Sequence, residues 1–177
     1  MEKNRVAEIE QAAAETLANF GFYPEERSTA SLDIIHIANS LGFSVYTGEL
    51  PMGKDALVVV QGRPVPIFDE KNNGKVIAVN EARGMPFKRF LIAHGLGHII
   101  LEHYSKYLPF RHCEDKERDA ADDEADYFAA ALLMPKEMFV RDYQQLEILE
   151  DRFLNLAREY RVRVSDARFR AEMLGLK

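Results

Sequence analysis

The sequence predicts an α+β fold, a helical domain with a small, mainly antiparallel three-stranded sheet packed on a helix that carries two histidines. Three observations lead there. Both ends of the chain place apolar residues at helical spacing. The middle third is β-branched and punctuated by turn signals. Two strongly apolar helical segments, 87–104 and 127–134, read as buried on most of their circumference.

In chain order, Val6, Ile9, Ala13, Leu17 and Phe20 recur at helical spacing in an alanine- and glutamate-rich stretch, 6–20, that Gly21 ends. A second helix carries Leu32, Ile35 and Ala38, with Thr29 or Ser31 as its cap, and stops near Gly42. Residues 43–46, 56–60 and 75–80 read as strands. Residues 66–68 are a further edge candidate, because Pro64 and Pro66 cannot donate to a ladder. Asn72-Asn73-Gly74 is a hairpin turn signal ahead of the strand at 75–80. Pro86 suits the first turn of the helix 87–104, where its missing N–H costs nothing, and Pro109 ends that segment. An acidic run at 114–126 leads into the apolar helix 127–134, stopped by Pro135. The remainder reads as helix at 136–159 and 165–174. With no repeat, low-complexity tract or linker, the chain reads as one domain, 1–177. It comprises an N-terminal helix (1–30), a core (31–135) and a C-terminal helical segment (136–177).

Composition narrows the function. Of the 177 residues, 47% are hydrophobic and 29% charged, enough for one real core and against disorder along the whole chain. A net charge of -6 argues against direct nucleic-acid binding. The arginines at 158, 161, 163, 168 and 170 read instead as a helix face that meets a protein partner or closes the fold. A single cysteine, Cys113, cannot form an internal disulfide, which fits a reducing compartment. The first residues lack an apolar signal core, and no apolar window is long enough for a bilayer. A cytoplasmic location without membrane contact is the expectation.

The chemistry concentrates in Ala93-His94-Gly95-Leu96-Gly97-His98. Histidines four apart on a helix share a face, where both imidazoles can hold one ion. The hydrolytic motif with this spacing is H-E-x-x-H, whose glutamate is the general base; here Gly95 occupies that position. Two glycines in a buried helix cost about 1 kcal/mol each relative to alanine, which signals close packing or a special site. A two-histidine zinc site commonly adds a carboxylate and keeps one position open. Asp122, Asp123, Glu124 and Asp126 supply candidates at the start of the other apolar helix. Asp122 and Asp126 lie one turn apart, so that one can bind metal while the other orients a ligand histidine. His103 and His112 lack the helical register and read as surface or loop residues, His36 as structural, and Cys113 as incidental.

The run Arg89-Phe90-Leu91-Ile92-Ala93-His94-Gly95-Leu96-Gly97-His98 resembles the R-F-x-x-A-H-E-L-G-H block of the ImmA/IrrE family of zinc metallopeptidases. Residues 125–135, Ala-Asp-Tyr-Phe-Ala-Ala-Ala-Leu-Leu-Met-Pro, resemble its A-N-x-F-A-A-x-L-L-M-P block. Leu156-Ala157, Val164-Ser165 and Leu174-Gly175-Leu176 resemble its C-terminal segment. The resemblance covers roughly residues 30–177. The resemblance implies a zincin-like fold with 31–135 as the zinc-binding core. It implies a Zn2+-dependent endopeptidase, often encoded on mobile elements, that cleaves a helix-turn-helix transcriptional repressor and so controls gene expression. Residue by residue, His94 and His98 become zinc ligands. Asp122 becomes the third ligand in place of the usual glutamate, with Glu124 as fallback, and Asp126 stands at the family's asparagine. Gly95 marks the missing general base, a group worth about 10²–10⁴-fold in rate. Glu102, seven residues along the same segment, is about 10 Å away at roughly 1.5 Å per residue and too far to substitute. The chain is expected to be an impaired peptidase, or alternatively a non-catalytic regulatory binding module or an engineered inactive variant.

Overall fold

The computed structural model describes residues 2–23, 32–50, 54–60, 75–104, 110–113, 119–146 and 149–176. Its elements run α1 (Lys3–Asn19), α2 (Ile34–Ser40), β1 (Ser44–Gly48), β2 (Ala56–Val59), β3 (Val76–Asn80), α3 (Met85–Ile100), β4 (Phe110–Cys113), α4 (Ala120–Leu133), α5 (Lys136–Gln145), α6 (Leu149–Tyr160) and α7 (Val164–Met173). The chain divides into two compact units, Asp33–Asp126 and Met1–Leu32 with Tyr127–Lys177. Among the described residues no helix is long and apolar enough to cross a membrane.

The unit Asp33–Asp126 is the α+β part. Its sheet has the order β1-β3-β2-β4. β3 pairs parallel with β1 and antiparallel with β2, and β2 pairs antiparallel with β4, so the sheet is mainly antiparallel, as expected. It holds four strands rather than the three expected, the additional one being β4. The central strand β3 is buried at Val76, Ile77, Ala78 and Val79 because both of its faces are covered. Ile77 and its cross-strand partner Val58 turn toward α3. Val76, Ala78 and Val59 turn to the opposite face and pack with Leu50, Tyr46 and Leu57.

α3 starts after Gly84 with Pro86 in its first turn, and is buried without a break from Phe90 to His98. It packs on β2 and β3, as the sequence suggested. It ends earlier than expected, at Ile100 rather than Tyr104. Glu102 adopts φ 57°, the His103 N–H donates to the His98 carbonyl at 2.9 Å, and the Glu102 N–H donates to the Ile99 carbonyl at 3.3 Å. This is a Schellman ending with a glutamate at the left-handed position. α2 is capped by Asp33, whose Oδ1 accepts from the His36 N–H at 3.0 Å. The proposed caps Thr29 and Ser31, the edge candidate at 66–68, the Asn72-Asn73-Gly74 turn and Pro109 lie outside the described residues.

The other unit is helical. The single C-terminal helix expected at 136–159 is two, α5 and α6. Phe139 lies 5.5 Å from Tyr160 and 6.4 Å from Tyr143 between ring centroids, which ties the two together. The Tyr160 hydroxyl donates to Asp142 at 2.7 Å; burial and then this bond push its pKa well above the usual tyrosine value. Arg170 on α7 is fully buried. Its Nε donates to the Met134 carbonyl at 2.9 Å and its guanidinium pairs with Glu10 of α1. Arg163 pairs with Asp166 at 2.7 Å, and Arg168 stacks over Phe153 at 4.5 Å. Of the five arginines in this stretch, Arg170 is buried and closes the fold, whereas Arg158, Arg161 and Arg168 are exposed.

Candidate metal centre

Three elements of local structure aim the site. The i, i+4 spacing on α3 turns both imidazoles the same way, so that His94 Nε2 and His98 Nε2 stand 2.9 Å apart. Asp122 joins them from α4, with Oδ1 at 3.3 Å from His98 Nε2 and 4.0 Å from His94 Nε2. All three side chains are buried, at 4%, 1% and 5% exposure. Among the described residues this is the group of histidine and acidic side chains whose ligand atoms converge as a metal site requires.

Asp122 is held by the start of its own helix. Its N–H donates to Asp119 Oδ1 at 3.0 Å, and its Oδ2 accepts from the Asp119 N–H at 3.1 Å. This reciprocal pair is a capping box that fixes one carboxylate oxygen and leaves Oδ1 facing the histidines. α4 comes close enough for so short a side chain because Gly97 lies against it. A β-carbon at Gly97 would stand 3.0 Å from the Cα of Ala125.

His94 is oriented from behind by Asp126, whose Oδ1 lies 2.7 Å from Nδ1. A carboxylate only accepts, so the Nδ1–H donates and the neutral ring presents a bare lone pair at Nε2. Asp126 thus stands where the sequence placed an orienting carboxylate. Glu124, the fallback ligand, is engaged elsewhere, with Oε2 3.0 Å from His103 Nε2. His103 in turn brings Nδ1 to 3.2 Å from His98 Nδ1. By spacing alone His103 reads as a surface or loop residue. It does lie beyond the helix, but the left-handed turn at Glu102 folds it back onto His98, and spacing alone gives no sign of that.

The donor set fits a small divalent cation. A tetrahedral ion about 2.0–2.1 Å from nitrogen and oxygen ligands separates neighbouring donor atoms by about 3.3–3.4 Å. The separations here, 2.9, 3.3 and 4.0 Å, bracket that value. Two imidazoles and one carboxylate are the ligand types zinc accepts, with a fourth position left for an exogenous ligand.

Gly95 is buried between the two histidines and faces the sheet. A β-carbon there would lie 2.9 Å from Val58 Cγ2 and 3.1 Å from Ile77 Cγ2. Val58 is β-branched and fixed in its strand, so it has little freedom to give way. A side chain at this position would therefore meet the sheet. Of the other histidines and the cysteine, His36 lies exposed on α2, and the backbones of His112 and Cys113 belong to β4.

A family model described as Peptidase_M78, IrrE N-terminal-like domain, matches residues 43–172. No curated protein matches the chain. The fold is similar to that of a solved structure described as a Mycobacterium tuberculosis transcriptional regulator, with a TM-score of 0.59 at 19% identity. That match covers 91% of this chain and 45% of the other, so the chain spans less than half the length of that regulator.

Proposed function

The chain belongs to the Peptidase_M78 family of IrrE N-terminal-like domains, and from that premise we propose that it is a zinc-holding regulatory protein that binds a helix-turn-helix transcriptional repressor and cleaves it slowly or not at all. The observation that carries this reading is the convergence of His94 Nε2, His98 Nε2 and Asp122 Oδ1 in a buried site whose neighbouring position, Gly95, offers no proton acceptor. The likeness of fold to a transcriptional regulator supports the regulatory setting.

His94, His98 and Asp122 would hold the zinc, and Asp126 would keep the His94 ring turned toward it. A zinc ion there would supply Lewis-acid polarisation of a peptide carbonyl and acidify a water. An active metallopeptidase of this design also needs a carboxylate beside the histidines to take a proton from the attacking water. Gly95 cannot do so, and Val58 and Ile77 fill the space its side chain would need. Loss of a general base costs about 10²–10⁴-fold in rate. The site keeps the means to hold a metal and lacks the group that makes cutting fast.

Metal analysis tests the reading. The purified protein is expected to carry stoichiometric zinc that His94→Ala abolishes. Near-zero zinc, the same in both proteins, would remove the metal site and the functional reading with it. The partner is tested by mixing the protein with any helix-turn-helix repressor whose gene is found next to that of this chain. A stable complex with an intact repressor is expected, and rapid cleavage would overturn the non-catalytic assignment.

A further inference from the structure

We propose that His103 and Glu124 are positioning residues of the metal site, fixing the tautomer and ring orientation of His98 through a second imidazole; the inference rests on the metal-site reading above. The two ligand histidines are braced differently. His94 meets a carboxylate directly, Nδ1 to Asp126 Oδ1 at 2.7 Å. His98 meets one through a relay, Nδ1 to His103 Nδ1 at 3.2 Å and His103 Nε2 to Glu124 Oε2 at 3.0 Å.

The relay has a direction. Glu124 is a carboxylate and only accepts, so the His103 Nε2–H donates to it. In a neutral His103 the other nitrogen is then bare and must accept, so the His98 Nδ1–H donates to it. That leaves His98 Nε2 with its lone pair exposed, facing His94 Nε2 and Asp122 Oδ1. Glu124 thus sets the tautomer of a ring it does not touch. The rings are also held edge to face, His98 and His103 at 5.3 Å between centroids and 72° between planes. His103 sits within reach only because Glu102 takes a positive φ and the His103 N–H closes on the His98 carbonyl. The backbone turn joins His98 and His103, the same two residues that the first link of the relay joins.

Zinc affinity is measured by competition with a chromophoric chelator, and Co2+ is used as a spectroscopic probe of ligand geometry. Wild type is compared with His103→Leu, His103→Gln and Glu124→Ala, with thermal unfolding of each metal-free protein as the folding control. A glutamine at 103 can accept from His98 with its carbonyl and donate to Glu124 with its amide, so it reproduces the relay; leucine does neither. His103→Leu and Glu124→Ala are expected to weaken zinc binding by about 10–100-fold and to shift the cobalt absorption. His103→Gln is expected to retain most of the affinity. Wild-type affinity and spectrum in His103→Leu, or a glutamine variant as weak as the leucine one, would overturn the relay and leave the metal site standing. Should wild type itself take up neither metal, the metal-site reading fails first. If His103→Leu does not fold, the Glu124→Ala and His103→Gln pair decides the matter.

Discussion

Gly97 and Ala125 touch backbone to backbone: a β-carbon on the glycine would stand 3.0 Å from both the Cα and the carbonyl oxygen of the alanine. Neither atom can rotate away, so Gly97→Ala must separate α3 from the first turns of α4. Overpacking of this kind costs about 1–3 kcal/mol, and the better helix propensity of alanine returns about 1 kcal/mol. The variant is expected to unfold at a lower temperature and to bind zinc more weakly, because Asp122 withdraws with its helix. Calorimetry and chelator competition check both. A more stable protein with unchanged affinity would contradict the packing role.

Placing a glutamate at position 95 is expected to fail as a single change. Gly95→Glu drives its β-carbon into Val58 and Ile77, at a cost of about 1–3 kcal/mol. The double variant Gly95→Glu/Val58→Ala removes the closest methyl and is expected to recover stability relative to Gly95→Glu. Any gain in repressor cleavage should appear in the double variant first. A fully stable, active Gly95→Glu protein would show that the sheet yields more readily than its geometry indicates.

The Arg170–Glu10 pair gives an unequal pair of variants. Glu10→Gln leaves a fully buried guanidinium without its counter-charge, whereas Arg170→Met removes that charge and leaves Glu10, 24% exposed, free to turn toward water. Breaking a buried pair from one side costs roughly 3–5 kcal/mol, and the partial exposure of Glu10 places this case at the lower end. Denaturant titration should rank Glu10→Gln below Arg170→Met in stability. The reverse order would show that the Arg170 contact with the Met134 carbonyl matters more than charge.

Tyr160 predicts an alkaline limit. Burial and the bond to Asp142 raise its pKa in the fold above the ordinary value of 10.0. The fold therefore favours the protonated hydroxyl. Its contribution is complete below pH 10 and is lost as rising pH ionises the residue in the unfolded chain but not in the native one. The melting temperature of wild type is expected to fall more steeply above about pH 10 than that of Tyr160→Phe, which starts lower for want of the Asp142 bond. Parallel pH profiles would remove Tyr160 as the cause. Tyr127, also raised chiefly by burial, contributes in the same direction and is common to both proteins.

The sequence made the local features legible. Helical spacing located α1 and α3 and put His94 and His98 on one face, because that periodicity is a property of neighbours in the chain. It did not show that α3 stops at Ile100, since the positive φ of Glu102 that turns the chain carries no compositional mark, and so it missed His103. The break between α5 and α6 was invisible because residues 144–150 contain neither glycine nor proline. The parallel pairing of β1 with β3 joins residues about thirty positions apart, such as Ser44 and Val76, and only the folded sheet decides it. The close contact at Gly95 was not legible, because Val58 and Ile77 reach it from other elements.

Asp122 starts a helix and faces two imidazoles with the same carboxylate. The Asp119 amide pins one oxygen, so the side chain's rotational freedom is already surrendered when α4 forms, whether or not an ion arrives. Capture of a cation then requires little further ordering at this ligand, and its release should leave the first turn of α4 intact. The metal would be exchangeable against a standing scaffold.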